Sequence, residues 1–160
     1  MTGVRVLALA ERPAAAERVA RWYVDEWGEP GRDPAPEVAR TVADMLRAAR
    51  DGGLPATWLA ADGERTVGAC QLKRREVSAL EAFEHWIGGV YVEPAHRGRG
   101  VARRLVERCV EAAAERGVRR LHLQTETHNV GLYESLGWVP AALPPGFVHE
   151  RPVMVRPLNG

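Results

Sequence analysis

Val90-Tyr91-Val92-Glu93-Pro94-Ala95-His96-Arg97-Gly98-Arg99-Gly100-Val101-Ala102-Arg103-Arg104-Leu105 is the stretch that decides how this 160-residue chain is read. A β-like segment turns there through two glycines into a helix. The N-terminus of a helix presents backbone N–H groups without intrahelical partners, and its aligned peptide dipoles leave it partly positive, so an anion fits there. Gly98 and Gly100 remove the Cβ atoms that would hold a phosphate off the backbone, while Arg97, Arg99, Arg103 and Arg104 ring the turn with fixed positive charge. The plainer alternative is a strand-to-helix turn with solvated arginines.

Two familiar phosphate motifs do not fit. A Walker loop needs Gly-Lys-Ser/Thr, and the chain's one lysine is Lys73. The dinucleotide fingerprint needs a small residue three places after its second glycine, where this chain has Arg103, and it belongs after the first strand rather than beyond the middle of the chain. What remains is Arg97-Gly98-Arg99-Gly100-Val101-Ala102, an Arg-x-x-Gly-x-Ala pattern that resembles the acyl-CoA pyrophosphate loop of the GNAT superfamily of N-acyltransferases. Downstream, Asn129-Val130-Gly131-Leu132-Tyr133-Glu134-Ser135-Leu136-Gly137-Trp138 resembles that family's other cofactor segment, an Asn followed by Leu-Tyr and a Gly-aromatic pair. The two segments stand in the family's order, and the resemblance runs from about Trp58 to Val139.

Composition is compatible with this and excludes several other classes. The chain fits one domain, residues 1–160, large enough for a core of its own. Hydrophobic residues at 46% and charged residues at 27% are ordinary for a globular protein rather than a disordered one. No apolar run approaches the roughly 20 residues that span a bilayer, and no charged-then-apolar leader opens the sequence. A cytoplasmic location is expected. Net charge of +1 argues against a nucleic-acid surface. Cys70 and Cys109 have no metal-ligand or disulfide spacing and read as reduced core thiols, and the five histidines form no helical ligand pair, so no metal is expected.

The predicted elements follow from periodicity. Val4 to Leu9 reads as a strand, Pro13 to about Trp27 as a helix, and Glu37 to Arg50 as a second helix stopped by Gly52-Gly53. Thr57 to Ala61 and Thr66 to Leu72 flank Asp62-Gly63, a hairpin signal, and His85 to Val92 follows as a strand whose Gly88-Gly89 pair signals a bulge or a close approach. From Gly100 to Arg116, Val101, Leu105, Cys109 and Ala113 recur at helical spacing, with Val106 and Val110 widening the stripe. Leu121 to Thr125 reads as a strand, Asn129 to Leu136 as a short helix, and Trp138 to Val155 as two closing strands interrupted by Pro144-Pro145-Gly146.

The resemblance implies the GNAT α/β fold, a mixed and mostly antiparallel sheet flanked by helices and splayed between its fourth and fifth strands, here His85 to Val92 and Leu121 to Thr125. An acyl-CoA arm lies in the gap, meeting backbone of Val90, Tyr91 and Val92 as an added strand would. Acetyl-CoA is the expected co-substrate, and Arg97, Gly98, Arg99, Gly100, Val101, Ala102, Asn129 and Tyr133 are its expected contacts. Tyr133 is the implied acid for the departing thiolate, Asn129 serves the cofactor arm or caps its helix, and a backbone N–H near Val90 meets the oxyanion. For the base, the family's strand position falls on Trp86, which cannot act. Glu84 is then the candidate, with His85, Glu93 and Glu126 behind it. An amine-acceptor pocket is expected from the two N-terminal helices and the loop from Arg74 to Phe83, with Trp22 and Trp27, in a cluster with Tyr23, Asp25 and Glu26, together with Trp86, as its candidates. The expected activity is acetyl transfer from acetyl-CoA to an amine of a small molecule or peptide by direct attack in a ternary complex. A non-catalytic acyl-CoA sensor on the same fold is the alternative. The acceptor, the acyl length and the choice between monomer and homodimer stay open.

Overall fold

The computed structural model describes residues 3–158, so the expected domain of 1–160 extends past it at both ends. Seven strands form one sheet in the order β1-β2-β3-β4-β5-β7-β6. The strands are β1 (Arg5–Ala8), β2 (Ala56–Asp62), β3 (Arg65–Arg74), β4 (His85–Val92), β5 (Arg120–Gln124), β6 (Val139–Pro140) and β7 (Val153–Pro157). Four α-helices accompany them: α1 (Ala16–Trp27), α2 (Ala35–Asp51), α3 (Val101–Glu115) and α4 (Val130–Ser135). All neighbouring strands are antiparallel except β4 and β5.

Strand alternation sorts the core into two layers. On β2, Trp58 and Ala60 face one way and pack with Leu105, Cys109 and Ala113 of α3, while Leu59 and Ala61 face the other way and pack with Val19 and Ala20 of α1 and Met45 of α2. The stripe expected on α3 is the buried one, Val101, Leu105, Val106, Cys109, Val110 and Ala113 all lying inside. Cys70 and Cys109 meet across the α3 layer as free buried thiols, Sγ to Sγ 2.9 Å.

Several boundaries differ from the sequence expectation, each for a local reason. The β2–β3 turn falls on Gly63-Glu64 rather than Asp62-Gly63: Asp62 pairs with Arg65, and Gly63 takes φ +59° at the first central position, as a type II′ turn requires. Helix α2 begins earlier, at Ala35, because Pro34 and Pro36 fit its first turn. The two closing strands shrink to a two-residue β6 and a later β7. Residues 141–152, rich in proline and glycine, form the connection.

The bulge signal holds. Ala69 pairs with Tyr91 and Gln71 with Gly88, so β4 carries one extra residue there, and Gly89 adopts φ +58°. The close approach is present too. A Cβ on Gly89 would lie 2.6 Å from Cζ of Tyr23, and one on Gly88 would lie 2.5 Å from Oε1 of Glu76.

Strands β4 and β5 share a single pair, Trp86 with His122. Beyond it the strands part. Trp86 is wholly buried in a third cluster with Leu80 and Val153, its indole N–H donating to the Phe83 carbonyl at 2.6 Å, while Phe83 stacks on His122 with ring centroids 4.1 Å apart. Trp86→Ala should cost about 3–5 kcal/mol, measured by urea unfolding, with Trp86→Phe costing much less.

Burial pushes the His122 imidazole below its ordinary pKa, against a smaller opposing effect of the His85 backbone. The unfolded chain takes up a proton near pH 6.5 that the buried ring resists, so stability should fall as pH drops through about 6.5 and stop falling below the ring's own lowered value. Urea unfolding at several pH values, compared between the wild type and His122→Phe, checks this. The variant should lose less stability over the same window.

Candidate active site

The parted strands open a cleft of about 1000 Å³, at the upper end of sizes usual for ligand sites. One wall is β4 from Ile87 to Val92, the opposite wall β5 from Leu123 with Thr125 and the start of α4, and the far end is the loop into α3. On its β5 side, β4 runs past Trp86 without a ladder partner, so backbone groups there face the cleft.

The loop is built from fastenings. Glu93 receives a two-pronged bond from Arg65, Nε and Nη2 at 3.1 and 3.0 Å, and its backbone N–H donates to Val67. Nε2 of His96 lies 3.2 Å from Oδ2 of Asp62. Arg97 folds back so that its Nε donates to the Val92 carbonyl at 2.8 Å, its guanidinium 5.7 Å from the Tyr91 ring centre. Gly98 and Gly100 then take φ +76° and +78°, and a Cβ on either would meet nothing within 4 Å. The space above the loop is therefore open, and the left-handed backbone is itself a reason for glycine.

From Arg104 onward α3 satisfies its own amides, starting with the bond to Gly100, which leaves those of Val101, Ala102 and Arg103 facing the open end. Of the flanking arginines, Arg103 lines the cleft, Arg104 is tied to the Val4 carbonyl, and Arg99 is exposed and outside the wall.

Across the cleft, Asn129 sits at the N-cap of α4 without a side-chain capping bond, so of its two expected roles the cap is not used. Asn129 lines the cleft. Tyr133 lines it too, one turn on, 7% exposed and edge-on to Trp138. Burial pushes the Tyr133 phenol well above its ordinary pKa, which keeps it neutral and proton-bearing throughout the physiological range.

Three expected residues are not where the chemistry would need them. Glu84 is exposed just before β4, 3.6 Å from Arg74, at the end of the strand opposite the cleft. From that position Glu84 does not reach an amine in the cleft and is not the base, and His85 beside it shares the same remote end. Trp86 is sealed in the third cluster and does not reach an acceptor; the alternation that brings Ile87 to the cleft turns Trp86 away. Trp22 stacks on Tyr91, centroids 4.8 Å apart, and supports β4 rather than lining the cleft. Glu93 is consumed by arginine, and Glu126, which does line the cleft, is 3.3 Å from Arg151. Trp27 is on the wall, 46% exposed.

The sequence reading missed Gln71 and Lys73, and it included Glu76 only as part of the Arg74 to Phe83 loop, without singling it out. Gln71 lies in the β3 floor, its amide donating to Thr57 at 3.1 Å. Lys73 donates to Glu76 at 3.0 Å, and both reach the cleft beside Gly88. A lysine unique in a chain full of arginine was the available signal.

The chain belongs to the acetyltransferase (GNAT) family, whose model matches residues 16–138. No curated protein matches it. Among solved structures, it is similar to a Salmonella typhimurium protein provisionally called an acetyltransferase and solved with its cofactor acetyl-CoA, at 19% identity and a TM-score of 0.69 over 99% of this chain and 95% of that one. It is also similar to the PaiA N-acetyltransferase of Thermoplasma acidophilum in complex with coenzyme A, at 12% identity and 0.66 over 98% and 99%. A GNAT acetyltransferase of Staphylococcus aureus Mu50 matches at 18% and 0.63 over 98% and 100%. At these identities the likeness is one of fold.

Proposed function

We propose that the protein is a single-domain, cytoplasmic N-acetyltransferase that uses acetyl-CoA and transfers the acetyl group directly to an amine bound in the same cleft. The observation that carries this is the open, left-handed Gly98–Gly100 loop on the N-terminus of α3, set at the end of a β4 edge that has no strand beside it. An acyl-CoA presents a pyrophosphate and an amide-rich arm, and the two features are complementary to those groups in order. Neighbours solved with acetyl-CoA or coenzyme A have the same fold, which supports the choice of co-substrate.

The loop amides and Arg103 would hold the pyrophosphate. Arg97 acts through Val92, fixing the end of β4 at the height where the arm passes. The amides of β4 near Val90 would meet the carbonyl oxygen as negative charge develops on it. Asn129, spared from capping, is available to the arm. Tyr133 has the proton that the departing thiolate needs; burial makes the phenol a reluctant acid, and the same dry surroundings make the thiolate a stronger base, so the two remain matched. No covalent acyl-enzyme is called for, since both cysteines are packed in the core beneath the sheet.

The experiment is an amine panel assayed with acetyl-CoA for free-thiol release, alongside calorimetry of acetyl-CoA binding. Release with at least one amine supports the reading. Absence of acetyl-CoA binding to the folded protein overturns it.

A further inference from the structure

The half of the cleft away from the α3 loop has its own chemistry. Glu76 lies over Gly88, with Oε1 held by Lys73 at 3.0 Å and Oε2 without a hydrogen-bond partner among the described residues. The Tyr23 hydroxyl lies over the next residue, 2.7 Å from where a Cβ on Gly89 would be. Tyr23 is 9% exposed and its hydroxyl is buried without a partner. A buried hydroxyl left so is costly, and a ligand that hydrogen-bonds it removes the cost. Glu26 and Trp27 at the end of α1 and Glu37 at the start of α2 close the wall.

The charges in this half are unequal. Its cations, Lys73 and Arg151, are each spent on a carboxylate, Glu76 and Glu126, whereas Glu26 and Glu37 form no ion pair among the described residues. Acid oxygens, a phenol oxygen and the faces of Tyr23 and Trp27 are what an ammonium seeks. A carboxylate on the same ligand would meet like charge with no cation to spare.

We propose that Glu76 and Tyr23 anchor the acceptor's ammonium over the Gly88–Gly89 bulge, and that the acceptor is an aliphatic amine with a second cationic group and no carboxylate. This rests on the acyl-CoA reading of the opposite end of the cleft. The ammonium donates to Oε2 of Glu76 and to the Tyr23 oxygen, gives up one proton to solvent before the freed amine attacks and a second as the amide forms, which restores the Tyr133 phenol, while Glu26 and Glu37 attract the second charge at the mouth.

The test uses three acceptors of equal length: 1,4-diaminobutane, 4-aminobutan-1-ol and 4-aminobutanoate. With acetyl-CoA, kcat/KM should fall in that order, by roughly 10-fold or more at the first step. Glu76→Gln should lower kcat/KM for the diamine roughly 10- to 100-fold with the acetyl-CoA Kd unchanged. Tyr23→Phe should lower it too without lowering Tm, since the hydroxyl it removes satisfies nothing within the protein. A fall in Tm with kcat/KM unchanged would make that hydroxyl structural and remove Tyr23 from the site.

Equal or better use of the aminobutanoate overturns the proposal, as does a Glu76→Gln protein within twofold of wild type on the diamine. If Glu76→Gln fails to fold, the acceptor series and Tyr23→Phe decide. If no amine releases thiol, calorimetry of the diamine on the coenzyme A complex separates the two readings. Binding that is lost in either variant upholds the acceptor site and counts against acyl transfer, and no binding overturns the acceptor site.

Discussion

Tyr133→Phe is expected to lower turnover by roughly 10²- to 10⁴-fold, the usual contribution of a positioned general acid, while leaving acetyl-CoA affinity nearly unchanged. The ring keeps its edge-on packing against Trp138 and its place in the α3-side core, so thermal stability should change little. The wild-type phenol has no hydrogen-bond partner among the described residues, so the substitution strands no donor or acceptor. Single-turnover kinetics with a verified acceptor measures the chemical step directly. Full turnover in the variant would assign the proton to water or another group and leave the cofactor site standing. A wild type that binds acetyl-CoA tightly and transfers nothing across a broad amine panel would favour the acyl-CoA sensor.

Gly100→Val should weaken acetyl-CoA binding by roughly 100-fold or more, because a branched side chain fills the open space above the loop and breaks several charge-assisted bonds at once. The substitution also strains the backbone at φ +78°, by about 1–2 kcal/mol, and that effect must be separated. Gly117 gives the control. It ends α3 at φ +79°, likewise has open space where a Cβ would go, and lies outside the cleft. Gly117→Val should lose comparable stability with no loss of affinity by calorimetry. If the two variants bind acetyl-CoA equally well, the loop is not the phosphate site.

What the sequence made legible was whatever depended on local order along the chain. The glycine turn into α3, the α3 stripe, the β4 bulge and the short α4 with Tyr133 all rest on neighbours within a few residues, and the structure has them at nearly those positions. The acceptor side was not legible in the same way. Glu84 looked suitable because it lies two residues before Trp86 on the same strand face, yet the cleft lies at the other end of β4, and only the single Trp86–His122 pair shows where the strands begin to part. Trp86 was the expected lining residue, and only its place in the third cluster shows that it faces away and leaves Ile87 on the cleft. Glu76 lies in the irregular stretch between β3 and β4, where no periodicity applies. It reaches the cleft because Gly88 leaves room for it, a relation across the fold that spacing alone does not reveal.

A strand paired on one edge only behaves as two strands in exchange with deuterium. Along β4 past Trp86, on either side of the Gly88–Gly89 bulge, successive amides point in alternate directions, toward β3 or toward the open side. Those in the β3 ladder keep their hydrogens for as long as that part of the sheet stays closed, while their neighbours trade with solvent at rates close to those of exposed backbone. The strand is thus a built-in reporter, its fast positions slowing one by one as a ligand takes them up and its slow positions serving as the internal reference.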